Sequence, residues 1–144
     1  MSAPDKKPVE TPGEWLRYAN ENLRVAEYAL ELPEPAWHTI CFLCQSAAEK
    51  FLKAYLVAQG WNLQKTHDIV VLLRFCSDYD NIFTGLLQDG AILNEYISAG
   101  RYPGDLTFEA IGSDEAQEAV AITQLIADYV VARVSVPYPP PDAA

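Results

Sequence analysis

Three charged side chains interrupt a largely apolar stretch of this chain. The stretch reads AAEKFLKAYL from Ala47 to Leu56, and its charges are Glu49, Lys50 and Lys53. Lysines on one helix face can bind phosphate, and Glu49 precedes Lys53 by four residues, the favourable order for an ion pair within a helix. The alternative is a short solvated strip, whose lysine stems cover the core while the ammonium groups lie in water. We regard all three as candidate ligand contacts.

Four further candidates lie later in the chain. His67, in KTHD at an expected helix start, can donate to a phosphate or act as a pH-sensitive contact; its alternative role is local packing. Arg101 and Tyr102 are adjacent in SAGRYPGDLTF, where an arginine can grip a phosphate and a tyrosine can stack on a base. Their alternative role is to anchor this loop on the protein. Tyr96 shortly precedes the loop and is expected nearby.

The composition narrows the possible partners. The net charge of −10, with only ten lysines and arginines, opposes non-specific binding to nucleic acid or to anionic membranes. No apolar run approaches the ~20 residues of a membrane span. The sequence shows no metal-ligand spacing, glycine-rich phosphate loop or Ser/His/Asp order. We therefore expect no metal, no cofactor and no membrane partner.

The three cysteines are expected to be free and buried. Cys41 and Cys44 have the spacing of a zinc or redox pair, but they lie in TICFLCQS, an apolar helical run with no turn and no second ligand pair. Cys76 makes the count odd. With no signal peptide visible, this cysteine usage predicts a reducing, cytoplasmic location.

The apolar periodicity predicts an all-α, up-and-down antiparallel helical bundle of four to five helices. Thr11 is the expected N-cap of the first helix, with Pro12 and Glu14 completing the start signal. The second helix is predicted over about residues 36–59, stopping at Gly60. Apolar residues on two of its flanks predict that it is central.

Three more helices are predicted, the third from Thr66 or Asp68, the fourth, weakened by two glycines, over about 82–98, and the last from Ser113 or Asp114. The buried face of the last helix is expected to comprise Val120, Thr123, Ala127, Val130 and Val134. The predicted domain organisation is a disordered tail over 1–12, a single bundle domain over 13–135 and a proline-rich tail over 136–144.

Four segments together resemble the HEPN family of small helical-bundle proteins. They are EWLRYANENLRVAEYAL, CFLCQSAAEKFLKAYLVAQG, KTHDIVVLL and ISAGRYPG, and the resemblance covers about residues 14–134. It implies an up-and-down bundle that commonly forms homodimers. Many bacterial members are encoded beside a minimal nucleotidyltransferase, some such pairs act as toxin and antitoxin, and the family name proposes nucleotide binding.

The resemblance also bears on catalysis. Many HEPN proteins are metal-independent RNases that carry an arginine followed, after four to six residues, by a histidine. Here the histidines are His38 and His67, and neither follows an arginine at that spacing. The RNase residues therefore cannot be carried over, and we assign no catalytic residue.

Three functions follow as hypotheses. The first is a non-catalytic HEPN-type module that binds a nucleotide (ATP or GTP), a nucleotidyltransferase partner or both, as in a toxin–antitoxin-like pair. The second is a metal-independent RNase toxin with an atypical site. The third is a structural dimerisation bundle without a ligand. A homodimer is expected, because a small chain with two apolar flanks on its second helix would bury surplus apolar surface by association.

Overall fold

Helices account for nearly all of the regular structure. The computed structural model describes residues 11–99 and 110–134. Within these ranges the helices are α1 (Pro12–Ala29), α2 (Trp37–Ala58), α3 (Ile69–Tyr79), a 3₁₀ helix (Asn81–Leu86), α4 (Leu87–Ala99) and α5 (Ser113–Val131), and there is no strand. The predicted all-α helical bundle is confirmed. The predicted tails over 1–12 and 136–144 lie almost wholly outside the described residues, so the domain boundaries stay a prediction.

Helix α2 is the central element, as its two apolar flanks predict. It packs against α1, α3, α4 and α5. Small residues on α2, such as Ala47 and Ala48, are fully buried and let neighbouring backbones come close. Because α2 is covered on several sides, its polar side chains must find partners inside the protein.

Residues at the ends of the first three helices have the capping roles that the sequence predicts. The backbone N–H of Glu14 donates to Thr11 Oγ1 (3.2 Å), while the Thr11 hydroxyl donates to the Glu14 carboxylate (2.7 Å). Gly60 has a φ of 88°, the left-handed conformation that ends α2 without steric cost. Asp68, rather than Thr66, is the N-cap of α3, since its carboxylate accepts from the N–H of Val71 at 3.1 Å.

Two predicted starts need correction. The expected helix over 82–98 is a 3₁₀ turn followed by α4, because the Asp80 carboxylate accepts from the N–H of Ile82 and starts a tighter helix. Helix α5 is capped by Gly112 and not by Ser113 or Asp114, because the Glu115 carboxylate accepts from the Gly112 N–H at 2.8 Å. The predicted face of α5 is confirmed: its five residues are all buried.

The cysteines are free and buried, as predicted. Burial raises the pKa of Cys41 and of Cys44 to about 12, and it also raises that of Cys76. All three thiols are therefore neutral at physiological pH and behave as small core residues.

Gly90 matters for packing more than for helix propensity. A Cβ atom at this position would lie 2.5 Å from Leu73 Cδ1 and 3.2 Å from Ile69 Cγ2, both on α3. The absence of a side chain therefore sets how closely α4 approaches α3. The sequence predicted only that this glycine weakens its helix.

We expect Gly90→Ala to destabilise the protein, because the added methyl group displaces the buried Leu73 side chain. The expected net loss is about 1–2 kcal/mol in the free energy of unfolding, after the gain in helix propensity. Gly85→Ala is the matched control, since a Cβ there meets nothing within 4 Å and its effect should stay under ~1 kcal/mol. Urea unfolding followed by circular dichroism measures both. Equal effects would contradict this account of the α3–α4 contact.

Candidate functional site

One row of polar side chains on α2 faces the segment just before α3. The row is Gln45, Glu49 and Lys53, spaced by four residues, so that all three lie on one face. The Lys53 ammonium donates to Glu49 Oε2 at 2.8 Å, and His67 Nδ1 lies 2.8 Å from Glu49 Oε1. The Gln45 amide donates to the backbone carbonyl of His67 at 3.0 Å. The row therefore holds both the main chain and the ring of His67.

Exposure changes sharply along this chain of contacts. The side chain of Lys53 is 5% exposed and that of Glu49 12%, whereas that of His67 is 70% exposed. Carboxylate oxygens accept from the lysine on the inner side and from the imidazole on the outer side. The arrangement therefore links a buried cation through a carboxylate to an imidazole in solvent.

Lys53 lies beneath Trp15 of α1. Its ammonium nitrogen is 5.7 Å from the centroid of the indole ring, a cation–π distance. The indole Nε1 is buried and has no hydrogen-bond partner among the described residues. Trp15 thus excludes water from Lys53, which strengthens the ion pair with Glu49.

A second row on α2 meets α1. Lys50 Nζ donates to Asn22 Oδ1 (2.6 Å) and to Ser46 Oγ (3.1 Å), and the Ser46 hydroxyl donates to the same Asn22 oxygen. Desolvation lowers the pKa of Lys50, although Glu49 and Glu21 oppose the shift. The alternative of a short solvated strip is wrong for Lys53, which is buried beneath Trp15, whereas Lys50 is half-buried against α1.

The segment that carries His67 is anchored from the other side by α4. Asn94 Nδ2 donates to Asp68 Oδ1 at 2.8 Å, and Asn94 Oδ1 accepts from the N–H of Ile69 at 2.7 Å. Burial alone would raise the pKa of Asp68, but the hydrogen bonds from Asn94 and from the backbone of Val71 outweigh it and lower that pKa. Asp68 is therefore charged at neutral pH and fixes the backbone next to His67.

The sequence candidates divide into three groups. The structure brings Glu49, Lys53 and His67 together, with Lys50 on the adjacent row. It buries Tyr96 in the core, where this hydroxyl contacts Cys41 and burial raises its pKa, so no ring face is open to a ligand there. Arg101 and Tyr102 lie outside the described residues.

Sequence reasoning missed Trp15, Asn22 and Asn94, which position the site from α1 and α4. No local signal marks them, because each acts on residues at least 24 positions away along the chain. The spacing of Gln45, Glu49 and Lys53 was visible, but it does not show which loop the row faces.

Two absences hold for residues 11–99 and 110–134. No helix there combines the length and apolarity needed to cross a membrane. The same ranges contain no group of three or more His, Cys, Asp or Glu side chains that could hold a metal ion.

Comparison with known proteins identifies the family. The HEPN domain model matches residues 13–134, and the chain therefore belongs to the HEPN domain family. The crystal structure of an archaeal HEPN homologue is similar in fold, with a TM-score of 0.72 and 24% sequence identity over 88% of this chain and 100% of that one. No curated protein matches this chain.

We expect Lys53→Met to destabilise the protein, because it leaves the largely buried Glu49 carboxylate without its cation. A loss of about 2–4 kcal/mol in the free energy of unfolding follows from breaking a buried pair at one side. Replacing both partners, in Glu49→Gln/Lys53→Met, should cost less than the single change. Lys65→Met, at an exposed lysine, should stay within about 0.5 kcal/mol of the wild type. Thermal and urea unfolding measure all four proteins; a double variant less stable than Lys53→Met would show that the pair is not coupled.

Proposed function

We propose that this protein is a non-catalytic HEPN-type module that binds the phosphates of a nucleotide through His67. The observation that carries the proposal is the buried Lys53–Glu49 pair holding an exposed imidazole. Glu49 occupies Nδ1 of the ring, so Nε2 is the nitrogen left for a ligand. Lys53 acts through Glu49, as a positioning residue, and is too deeply buried to contact a phosphate itself.

A phosphate oxygen accepts a hydrogen bond, so binding at Nε2 selects the protonated imidazole. Glu49 accepts from Nδ1 of this ring, and its charge is itself balanced by Lys53.

The proposal keeps Arg101 and Tyr102 as further ligand contacts, as the sequence predicts; both lie outside the described residues. A planar guanidinium is suited to phosphate oxygens, and a phenol ring can flank a base.

We also propose a protein partner. The family membership supports a homodimer and association with a minimal nucleotidyltransferase, as in a toxin–antitoxin-like pair. A nucleotide bound by such a partner would present the same phosphates to His67. The same phosphate contact to His67 would therefore serve a free nucleotide and a nucleotide bound by the partner.

Calorimetric titration of ATP and GTP tests the nucleotide site. We expect wild type to bind, and His67→Ala and Arg101→Ala each to bind about tenfold to hundredfold more weakly, with nearly unchanged melting temperatures. His38→Ala is the same-residue control; it lies early in α2, about 16 Å along the helix axis from Glu49. If wild type gives no heat with ATP or GTP, the hypothesis that it binds a free nucleotide is rejected, and the partner hypothesis remains. A large drop in melting temperature for Arg101→Ala would show that its loop is a structural anchor.

We expect no metal-independent RNA cleavage, since the chain lacks the Arg-to-His spacing. Labelled tRNA and mRNA are incubated with pure protein in EDTA. Cleavage that is lost in His67→Ala would overturn the non-catalytic proposal and favour the RNase alternative.

A further inference from the structure

Helices α1 and α5 border a groove whose floor is α2. The groove contains two neighbouring pockets, with volumes of about 440 Å³ and about 400 Å³. Phe51 of α2 lines the larger pocket, and Trp37 of α2 lines the smaller one. We call this surface the α1–α5 groove. It lies away from the His67 site, because Phe51 follows Glu49 by two positions, about 200° around α2.

The two pockets of the α1–α5 groove repeat each other at a spacing of seven residues. On α1 the repeat is between Leu23, in the larger pocket, and Leu30, in the smaller one. On α5 three lining residues of the larger pocket each have a counterpart seven positions earlier in the smaller one: Gln124 and Gln117, Ala127 and Val120, Asp128 and Ala121. Seven residues are two helical turns, so the pockets are about 10.5 Å apart along the groove. A third helix laid in this groove would place side chains seven residues apart in the two pockets.

The border of the α1–α5 groove is acidic. Glu27 and Asp128 line the larger pocket and Glu31 lines the smaller one, while no lysine or arginine lines either. Within the described ranges none of these three carboxylates forms an ion pair, and Arg24, three residues before Glu27, lies outside both linings. Gln124 lines both pockets, and its amide donates to Glu27 Oε2 at 2.7 Å, which joins α5 to α1 between the pockets. The groove therefore offers apolar pockets beside negative charge that this chain leaves uncompensated.

We propose that the α1–α5 groove binds a basic amphipathic helix of a partner protein. Two apolar side chains of that helix, seven residues apart, occupy the two pockets, and its lysines or arginines face Glu27, Glu31 and Asp128. A second copy of this chain fits poorly, because its net charge is −10. The segment over 135–144 fits poorly too, because it contains Asp142 and no lysine or arginine. The proposal goes beyond the nucleotide site, and its test requires no nucleotide.

Three labelled synthetic peptides of ~18 residues test the groove. The first is an amphipathic helix with leucines seven residues apart and lysines beside them. The second has the same composition, but one leucine is moved by two positions, to the opposite face of the helix. The third has glutamates in place of the lysines. Fluorescence anisotropy against the full chain should show that the first peptide binds and that the other two bind about tenfold or more weakly.

Variants of the protein establish where the first peptide binds. Ala121→Trp, which fills the smaller pocket, and Asp128→Lys, which reverses a charge beside the larger one, should each weaken binding about tenfold or more. The matched controls are Ala91→Trp, at an exposed alanine of α4, and Glu118→Lys, at an exposed glutamate of α5 outside both linings. Both controls should bind the peptide as wild type does, and circular dichroism checks that all four variants are folded.

Each outcome decides the proposal. No binding of the lysine peptide at ~100 μM, or equal binding of the glutamate peptide, rejects a basic helix as the occupant. A control that weakens binding as much as its matched variant places the peptide elsewhere. If Ala121→Trp dissociates a wild-type dimer in light scattering, a second copy occupies the groove and the proposal is wrong. It is also wrong if the peptide binds only after residues 135–144 are replaced by glycine and serine, because this chain's own segment is then the occupant.

The groove and the nucleotide site can be tested separately. His67→Ala should bind the lysine peptide as wild type does, and Asp128→Lys should leave the ATP and GTP titrations unchanged. Failure of one proposal therefore leaves the other standing.

Discussion

The buried ion pair between Lys53 and Glu49 is the constraint around which the described structure is arranged. A central helix has few positions that reach water, so charges on it must be neutralised inside the protein. The pair meets this need with an ammonium under Trp15 and a carboxylate that turns its second oxygen outward. Such a pair contributes little net stability, since desolvation offsets much of its attraction. Its value lies in what the carboxylate then holds, which is the ring of His67.

The site depends on contacts that approach His67 from two directions. On one side Gln45 binds the His67 carbonyl and Glu49 binds its ring. On the other side the Asp68–Asn94 hydrogen bonds tie the following residue to α4. An exposed imidazole would otherwise sample several rotamers, and ordering it on ligand binding would reduce affinity. Because the surrounding helices already hold the His67 ring, its conformational entropy is lost when the bundle folds and not when a ligand binds.

Local chemistry made parts of this structure predictable from sequence. Thr11, Gly60 and the apolar face of α5 follow from capping, left-handed turn geometry and helical periodicity, which involve residues near one another in the chain. The burial of Lys53 did not follow, because it depends on an indole 38 residues earlier. Pairing of Glu49 with Lys53 was visible as a four-residue spacing, whereas the third member, His67, comes from a separate loop.

Helix α1 links the core to the lysines of α2 through two of its faces. One face packs into the core, and a second carries Trp15 and Asn22 over Lys53 and Lys50. A helix of 18 residues moves largely as a rigid rod, so a constraint on one face limits displacement of the others. The core packing of α1 therefore restricts the motion of Trp15 above Lys53, and hence of the carboxylate that contacts His67. One helix, one indole and one ion pair connect the core to this exposed imidazole.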